Sequence, residues 1–160
     1  MAWFSVWLPR EFITMDHHAT NPAFVEEIRQ SFAKQTVMTL IGAELTRVEP
    51  GVIEITLPYR SDLTQQHGYV HAGIVTTIAD SACGYAAYTL MPVGSDVLAV
   101  EFKVNLMRPA KGETFVARAE VMKSGRTLTV VRADVHAVSG SQRELVAIMQ
   151  GTMMRLERPA

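Results

Sequence analysis

The chain has 160 residues, of which 48% are apolar and 19% are charged, a composition typical of about one folded domain. Its formal net charge of −1 at pH 7 argues against binding to a phosphate backbone, so no nucleic-acid partner is expected. The single cysteine, Cys83, excludes an internal disulfide framework and any multi-cysteine zinc or iron–sulfur site.

The N-terminal segment is apolar over residues 1–8 but has no basic region, so it does not fit a signal peptide. Residues 1–20 are predicted to form a disordered N-terminal extension, unless Met15 is the true start of the protein. Residues 21–160 are predicted to form one domain.

The longest weakly charged stretch covers residues 63–95 and does not predict a membrane span. It contains two histidines and Asp80, and a carboxylate in the middle of a bilayer is costly. The sequence therefore favours a soluble, cytoplasmic protein without stable membrane association.

The first third of the domain predicts one helix and two strands. Asn21 as an N-cap, followed by Pro22 at the first helical position, predicts the start of a helix. A short apolar turn over residues 37–41 comes next. Residues 44–48 and 52–57 predict two strands, because a turn sequence separates them and the second alternates apolar and polar side chains.

The last third of the domain predicts four strands. Runs rich in valine are separated by short turns, and they cover residues 97–107, 114–122, 127–138 and 145–154. Short connections between neighbouring runs predict an antiparallel meander. Together with the helix between the two groups of strands, this order predicts an α+β domain whose antiparallel sheet wraps around a long central helix.

That central helix is predicted over residues 72–89 and is apolar nearly all round, which is typical of a buried helix. Asp80 lies near its middle and is the only Asp, Glu, Lys or Arg between Asp62 and Asp96. An ionised carboxylate is costly to bury without a partner. Asp80 therefore either serves chemistry in a pocket or accepts hydrogen bonds from nearby donors such as Thr76, Thr77 or Ser81.

The start of the same helix is a candidate oxyanion site. Helix N-termini expose unpaired N–H groups and positive dipole charge, and the small residues Ala72 and Gly73 let a ligand approach the backbone. Ala72 and Asp80 are about 12 Å apart along the helix axis, too far to act on one carbonyl group. An active site built from both would have to be shared between two copies of the chain.

Three motifs accompany this arrangement. They are Gln65-x5-His71-Ala72-Gly73-x6-Asp80 with Ser81-Ala82-Cys83-Gly84 after it, Arg108-Pro109-Ala110-Lys111-Gly112, and Lys123-Ser124-Gly125-Arg126-Thr127. With these motifs, residues 24–156 resemble the hotdog-fold acyl-CoA thioesterases of the PaaI-like group. The resemblance implies the hotdog fold and the hydrolysis of an acyl- or aryl-CoA thioester to the free acid and CoA.

The resemblance also implies roles for individual residues. Asp80 takes the position of the catalytic carboxylate, acting as a nucleophile or as a general base. The backbone N–H of Ala72 takes the position of the oxyanion donor, where most members have glycine. Gln65 corresponds to the residue that positions water or the leaving sulfur, and His71 to the histidine that orients the loop. Gly84 stands where some members have a hydroxyl side chain.

Charge suggests where coenzyme A would bind. Arg108, Lys123 and Arg126 lie at predicted strand ends and turns and suit phosphate groups, and Gly125 would let a turn backbone approach a phosphate. No metal or redox cofactor is implied. The expected assembly is a homo-oligomer, either a dimer or a dimer of dimers.

Two other functions remain open from the sequence. The first is a non-catalytic acyl-CoA-binding module that kept the fold. The second is a 3-hydroxyacyl thioester dehydratase, although the His-Phe-Pro-Gly segment expected of such an enzyme is absent. Cys83 is predicted to be a core residue rather than a nucleophile, because an apolar helix raises the pKa of a thiol.

Overall fold

A computed structural model describes residues 17–158 of the chain. Three α-helices are formed, α1 (Phe24–Ala33), α2 (Thr36–Ile41) and α3 (Ala72–Tyr88), with a short 3-10 helix at Ser61–Leu63. Six strands are formed, β1 (Glu44–Glu49), β2 (Val52–Pro58), β3 (Ser95–Leu106), β4 (Thr114–Ser124), β5 (Leu128–Ser139) and β6 (Gln142–Glu157).

The six strands form one antiparallel sheet in the order β1-β2-β4-β5-β6-β3, and α3 packs across one face of it. Alternate residues of β2 explain this packing, since Ile53, Ile55 and Leu57 are fully buried while the residues between them are not. The predicted α+β class, with an antiparallel sheet around a long central helix, is confirmed.

The predicted meander is correct for β4, β5 and β6 but wrong for β3. β3 pairs with β6 and lies at an edge of the sheet, with β5 and β6 between it and β4. Residues 107–113 make this connection. Crossing three strand spacings needs about 15 Å, which seven extended residues span easily, so a short link does not force neighbouring strands to pair.

The first helix begins later than predicted. Pro22 lies before α1, and the Asn21 side chain accepts a hydrogen bond from the Ala23 N–H at 2.9 Å, which closes a turn ahead of the helix. The apolar turn predicted at residues 37–41 is instead the helix α2.

The helix α3 matches the predicted span, but the single chain does not enclose it on all sides. A stripe of small and polar residues is only partly buried or exposed, and it consists of Gly73, Thr76, Thr77, Asp80, Ser81 and Gly84. These positions recur at helical spacing and therefore share one face of α3. Beside this face, the edge strand β3 leaves apolar side chains exposed, among them Phe102 at 44% and Leu106 at 58%.

The N-terminal extension is described only from residue 17 onward, and residues 1–16 lie outside the described part of the chain. The His17 ring contacts Val121, with Nε2 lying 2.9 Å from the Val121 carbonyl oxygen. The extent of the extension stays a prediction. Within residues 17–158, no helix is long and apolar enough to cross a membrane.

Candidate active site on the central helix

Asp80 has the environment of a functional carboxylate. Its Oδ1 atom is buried and has no hydrogen-bond partner among residues 17–158. Burial raises the pKa of Asp80 above the ordinary value of 3.8, because the charged form loses its hydration. A buried acceptor without a partner costs free energy, so folding alone does not explain this residue.

The alternative in which nearby hydroxyl groups satisfy Asp80 fails on geometry. Thr76 Oγ1 donates to the Ala72 carbonyl oxygen at 2.8 Å, and Thr77 Oγ1 donates to the Gly73 carbonyl oxygen at 2.8 Å. Ser81 Oγ donates to Gln35 Oε1 at 3.2 Å. All three candidate donors are therefore engaged elsewhere, and the carboxylate remains available to a ligand.

A cavity of about 370 Å³ opens beside Asp80. Its walls come from the end of α1 and the link to α2, from α3, and from the first residues of β3, including Asp96 and Ala99. Gly84, one turn after Asp80, also lines it, and a Cβ atom at Gly84 would meet no atom within 4 Å. This glycine therefore leaves open space directly beside the carboxylate.

A hydrogen-bond network forms one wall of this cavity. Gln35 Nε2 donates to the Tyr85 hydroxyl at 3.0 Å, while Gln35 Oε1 accepts from Ser81. The Tyr85 and Ser31 hydroxyls lie 3.2 Å apart. The network joins α1 to α3 across the cavity and places uncharged polar groups close to Asp80.

Within residues 17–158, one backbone N–H at the start of α3 has no hydrogen-bond partner. The His71 N–H donates to the Leu63 carbonyl at 2.9 Å, and the Gly73 N–H donates to His71 Nδ1 at 2.9 Å. The Ile74 N–H donates to the His71 carbonyl. Among the described residues the Ala72 N–H has no partner, so the predicted oxyanion donor is the amide left unpaired in this turn.

The loop before α3 carries Gln65, whose side chain is half-buried. Its Oε1 atom accepts from the His67 N–H, while no bond to its Nε2 atom is made within residues 17–158. The loop closes on itself, because the Gln65 N–H donates to the Tyr69 carbonyl at 2.8 Å. The Gln65 amide is thus held by its own loop, and its Nε2 donors are unused among the described residues.

The predicted coenzyme A residues fall into two groups in one chain. Lys123, Gly125 and Arg126 lie at the turn between β4 and β5, whereas Arg108 follows β3 at the opposite end of the sheet, about 23 Å away along the strands. Arg108 is exposed and pairs with Glu144 at 3.0 Å. A single chain therefore does not bring the four residues together.

Gly125 has a structural reason to be glycine. Its N–H donates to the Leu128 carbonyl at 2.9 Å, and a Cβ atom would lie 2.8 Å from the same oxygen. Lys123 and Arg126 beside it have no ion-pair partner within residues 17–158. The turn thus carries two positive charges that no described carboxylate compensates.

Cys83 is fully buried, and burial together with the charge of Asp80 raises the pKa of its thiol. It therefore lies in the core, as predicted. Gln35, Tyr85 and Asp96 were not predicted as lining residues, because contacts between α1, α3 and β3 join residues far apart in the chain. The only available signal was that Gln35 follows an amphipathic helix.

Known proteins that are similar to this chain in sequence or in fold agree with this geometry. Residues 67–143 match the family model of the thioesterase superfamily. A solved thioesterase family protein from Silicibacter pomeroyi is 50% identical with a TM-score of 0.82, over 84% of this chain and 98% of that chain. Acyl-coenzyme A thioesterase 13 of Pongo abelii is 28% identical over 69% of this chain and 81% of its own length.

The PaaI protein of Escherichia coli shares the fold, with a TM-score of 0.76 at 19% identity over 84% of this chain and 94% of that chain. The six-stranded antiparallel sheet around one long helix is the hotdog fold, which the chain shares with the solved thioesterase family protein. The chain belongs to the thioesterase superfamily. The resemblance to PaaI-like hotdog thioesterases is confirmed at the level of fold and superfamily.

Proposed function

We propose that this protein is an acyl-CoA thioesterase that hydrolyses an acyl- or aryl-CoA thioester to the free acid and CoA. The observation that carries the proposal is the Asp80 carboxyl group, which lines a cavity of about 370 Å³ and whose Oδ1 atom is buried without a partner among the described residues. Membership of the thioesterase superfamily supports the reaction class. The name of the related acyl-coenzyme A thioesterase 13 supports CoA as the carrier.

Asp80 and Ala72 of one chain are too far apart to act on the same carbonyl group, so an active site that uses both needs two copies of the chain. The edge strand β3 is the surface through which the two copies would pair. Asp96 and Ala99, at the start of β3, line the Asp80 cavity. The end of β3 leads to Ala110, whose carbonyl accepts the Val70 N–H at 3.1 Å just before α3. Each β3 therefore has the cavity at its start and the loop before α3 at its end.

Antiparallel pairing of two β3 strands about a two-fold axis sets the start of one strand beside the end of the other. The second copy's loop, with its Gln65 amide and free Ala72 N–H, then approaches the Asp80 cavity of the first. The same pairing buries the exposed side chains of Phe102 and Leu106. It also brings Arg108 of one copy to the end of the sheet where the other copy carries Lys123 and Arg126.

The chemistry follows from these groups. Either an Asp80 oxygen attacks the thioester carbonyl carbon, or Asp80 accepts a proton from a water that attacks it. The Ala72 N–H of the other copy stabilises the oxyanion of the tetrahedral intermediate. The carbon–sulfur bond then breaks and CoA leaves as the thiol after taking up a proton. In the nucleophilic route, water hydrolyses the acyl–aspartyl anhydride and restores the carboxylate.

The first test measures free-thiol release from short, medium, long-chain and aryl acyl-CoAs by the wild type and by Asp80→Asn. We expect turnover in the wild type and a loss of about 10²- to 10⁴-fold in kcat in the variant. Glu26→Gln is the matched control, because Glu26 is exposed on α1, accepts a hydrogen bond from Gln30 and does not line the cavity. Equal turnover in Asp80→Asn and the wild type would contradict the role of Asp80. Acyl-CoA binding without thiol release by the wild type would instead indicate the non-catalytic binding module.

A second test addresses the shared site. Asp80→Asn chains are unfolded and refolded together with Ala72→Leu chains, whose bulky side chain blocks the helix start. Each mixed dimer contains one intact site, so random pairing should restore about a quarter of the wild-type activity. Mixed dimers that are demonstrated by mass but show no activity would argue that each site lies within one chain.

A further inference from the structure

The part of the cavity wall that comes from α1, α3 and the link to α2 is polar, which is unusual for a pocket that would hold a saturated acyl chain. The Gln35 amide and the Tyr85 hydroxyl are joined by a 3.0 Å hydrogen bond, and Ser31 and Ser81 extend the network on either side. Tyr85 is only 4% exposed, and its ring packs against Phe32 with the ring centroids 6.0 Å apart. The network is therefore held rigidly in place.

The network leaves hydrogen-bonding capacity unused. The Gln35 amide has two N–H groups, and only the bond to Tyr85 is made among residues 17–158. The Ser31 hydroxyl likewise makes only its contact with Tyr85. A polar group arriving in the cavity would find both a donor and an acceptor, whereas an alkyl group would desolvate them without replacement.

The distance between Asp80 and the hydrogen-bond network sets the length of the acyl group whose far end would contact the network. Tyr85 lies five residues after Asp80, about 7 Å along the helix axis. Gly84 keeps the space between them open, since a Cβ atom there would meet nothing within 4 Å. The far end of a short acyl group attached at Asp80 would therefore reach the Gln35–Tyr85 pair.

The charge of the cavity further restricts the kind of acyl group that it would accept. The charged side chains that line the cavity are Asp80, Asp96 and Lys34. When all three groups are ionised, the described lining residues give the cavity a net negative charge. An acyl tail that ends in a carboxylate would be repelled, while an uncharged polar tail would not.

We infer that Gln35 and Tyr85 select short acyl groups that end in an uncharged hydrogen-bonding group, such as a hydroxyl, over alkyl groups of the same length. The inference rests on the proposed function, because it assumes that the acyl group enters this cavity. Gln35 and Tyr85 act as specificity residues and take no part in bond breaking.

The test compares kcat/KM for hexanoyl-CoA, 6-hydroxyhexanoyl-CoA and adipoyl-CoA, which differ only at the far end of the acyl group. The wild type should prefer 6-hydroxyhexanoyl-CoA over hexanoyl-CoA by about 10-fold, which is the effect of one neutral hydrogen bond. It should not prefer adipoyl-CoA over hexanoyl-CoA. Gln35→Leu and Tyr85→Phe should bring the ratio close to one. Gln30→Leu is the matched control, because Gln30 lies outside the cavity and bonds to Glu26.

A wild-type ratio near one, or a ratio that neither variant changes, would overturn the inference while leaving thioesterase activity intact. Absence of thiol release from every substrate would overturn the proposed function instead. In that case the same comparison is made by calorimetry with the thioether analogues S-hexyl-CoA and S-(6-hydroxyhexyl)-CoA. Equal affinities of the wild type for the two analogues would overturn the inferred selectivity as well. Tighter binding of the hydroxylated analogue by the wild type, lost in Gln35→Leu, would support the selectivity.

Discussion

His71 Nδ1 accepts the backbone N–H of Gly73 at 2.9 Å and thereby caps α3. An acceptor nitrogen carries no proton, so a neutral His71 ring holds its proton on Nε2. The cap engages the Gly73 N–H, and among the described residues it leaves the Ala72 N–H without a partner. One side chain thus determines which of these two amides at the helix start stays available.

Replacing His71 should separate capping from chemistry. His71→Ala is expected to lower the free energy of unfolding by about 1 kcal/mol, because the helix loses its cap, and to lower kcat. His71→Asn should retain most of the stability, since asparagine is a good N-cap. Chemical denaturation and thiol release measure the two effects. Full activity in His71→Ala would show that the cap does not position the Ala72 N–H.

The raised pKa of Asp80 predicts a pH-dependent stability. A group whose pKa is higher in the folded state stabilises the fold at low pH, and this contribution is lost as the pH rises through the folded pKa. Asp80→Asn should therefore be more stable than the wild type at pH 7, by about 1 kcal/mol after allowing for partial solvent exposure. The difference should shrink as the pH falls through the raised pKa of Asp80, and it should be largely lost below the ordinary aspartate pKa of 3.8.

Unfolding by urea at pH 7 and pH 3.5 measures this difference, with Asp62→Asn as the control. Asp62 has a lowered pKa because it bonds to Arg60, so its replacement should not stabilise the protein at pH 7. A less stable Asp80→Asn at pH 7 would mean that the ionised carboxylate has a stabilising partner in solution.

The edge strand β3 predicts the assembly. Phe102→Asp places a charge on a side chain that is 44% exposed in the single chain, so the monomer should still fold, while pairing of two β3 edges should fail. Sedimentation should then give a monomer without thioesterase activity. Leu40→Asp is the control, because Leu40 is 72% exposed on α2, away from β3. An active Phe102→Asp monomer would contradict both the interface and the shared site.

Gly84 predicts opposite effects on stability and activity. Gly84→Ala should raise the free energy of unfolding by about 0.5–1 kcal/mol, because alanine favours a helix interior and its Cβ atom meets nothing within 4 Å. The same methyl group should reduce kcat/KM, since it fills space beside Asp80. Gly73→Ala is a useful contrast, because its Cβ atom would lie 3.0 Å from His71 Nδ1 and disturb the cap. A destabilised Gly84→Ala would show that this space is occupied in the assembled protein.

Periodicity predicted much of this fold because it is a local property. The alternation of Ile53, Ile55 and Leu57 identified a half-buried strand, and the apolar run after Ala72 identified the central helix. The isolated charge of Asp80 in that helix identified the candidate site. Each of these features can be recognised from a few residues that are neighbours in the sequence.

The errors arose where contacts join distant parts of the chain. Short links predicted that β3 lies beside β4, whereas it pairs with β6 at the sheet edge. The helix was predicted to be buried on all sides, whereas one face is partly open beside β3. Both differences concern the same edge of the molecule, and apolar patterning does not tell whether the same chain or another copy covers a side chain.

Local patterns were enough to predict the class of fold, the central helix and the carboxylate at its middle, because backbone preference and burial of apolar side chains act at short range. The packing of the helices was needed to show that Thr76, Thr77 and Ser81 bond to other groups and that Asp80 Oδ1 has no partner among the described residues. Only the tertiary structure placed Gln35 against Tyr85, fifty residues away along the chain. Hydrogen bonds between residues so far apart depend on how the helices pack, and helix packing cannot be predicted from a local sequence pattern.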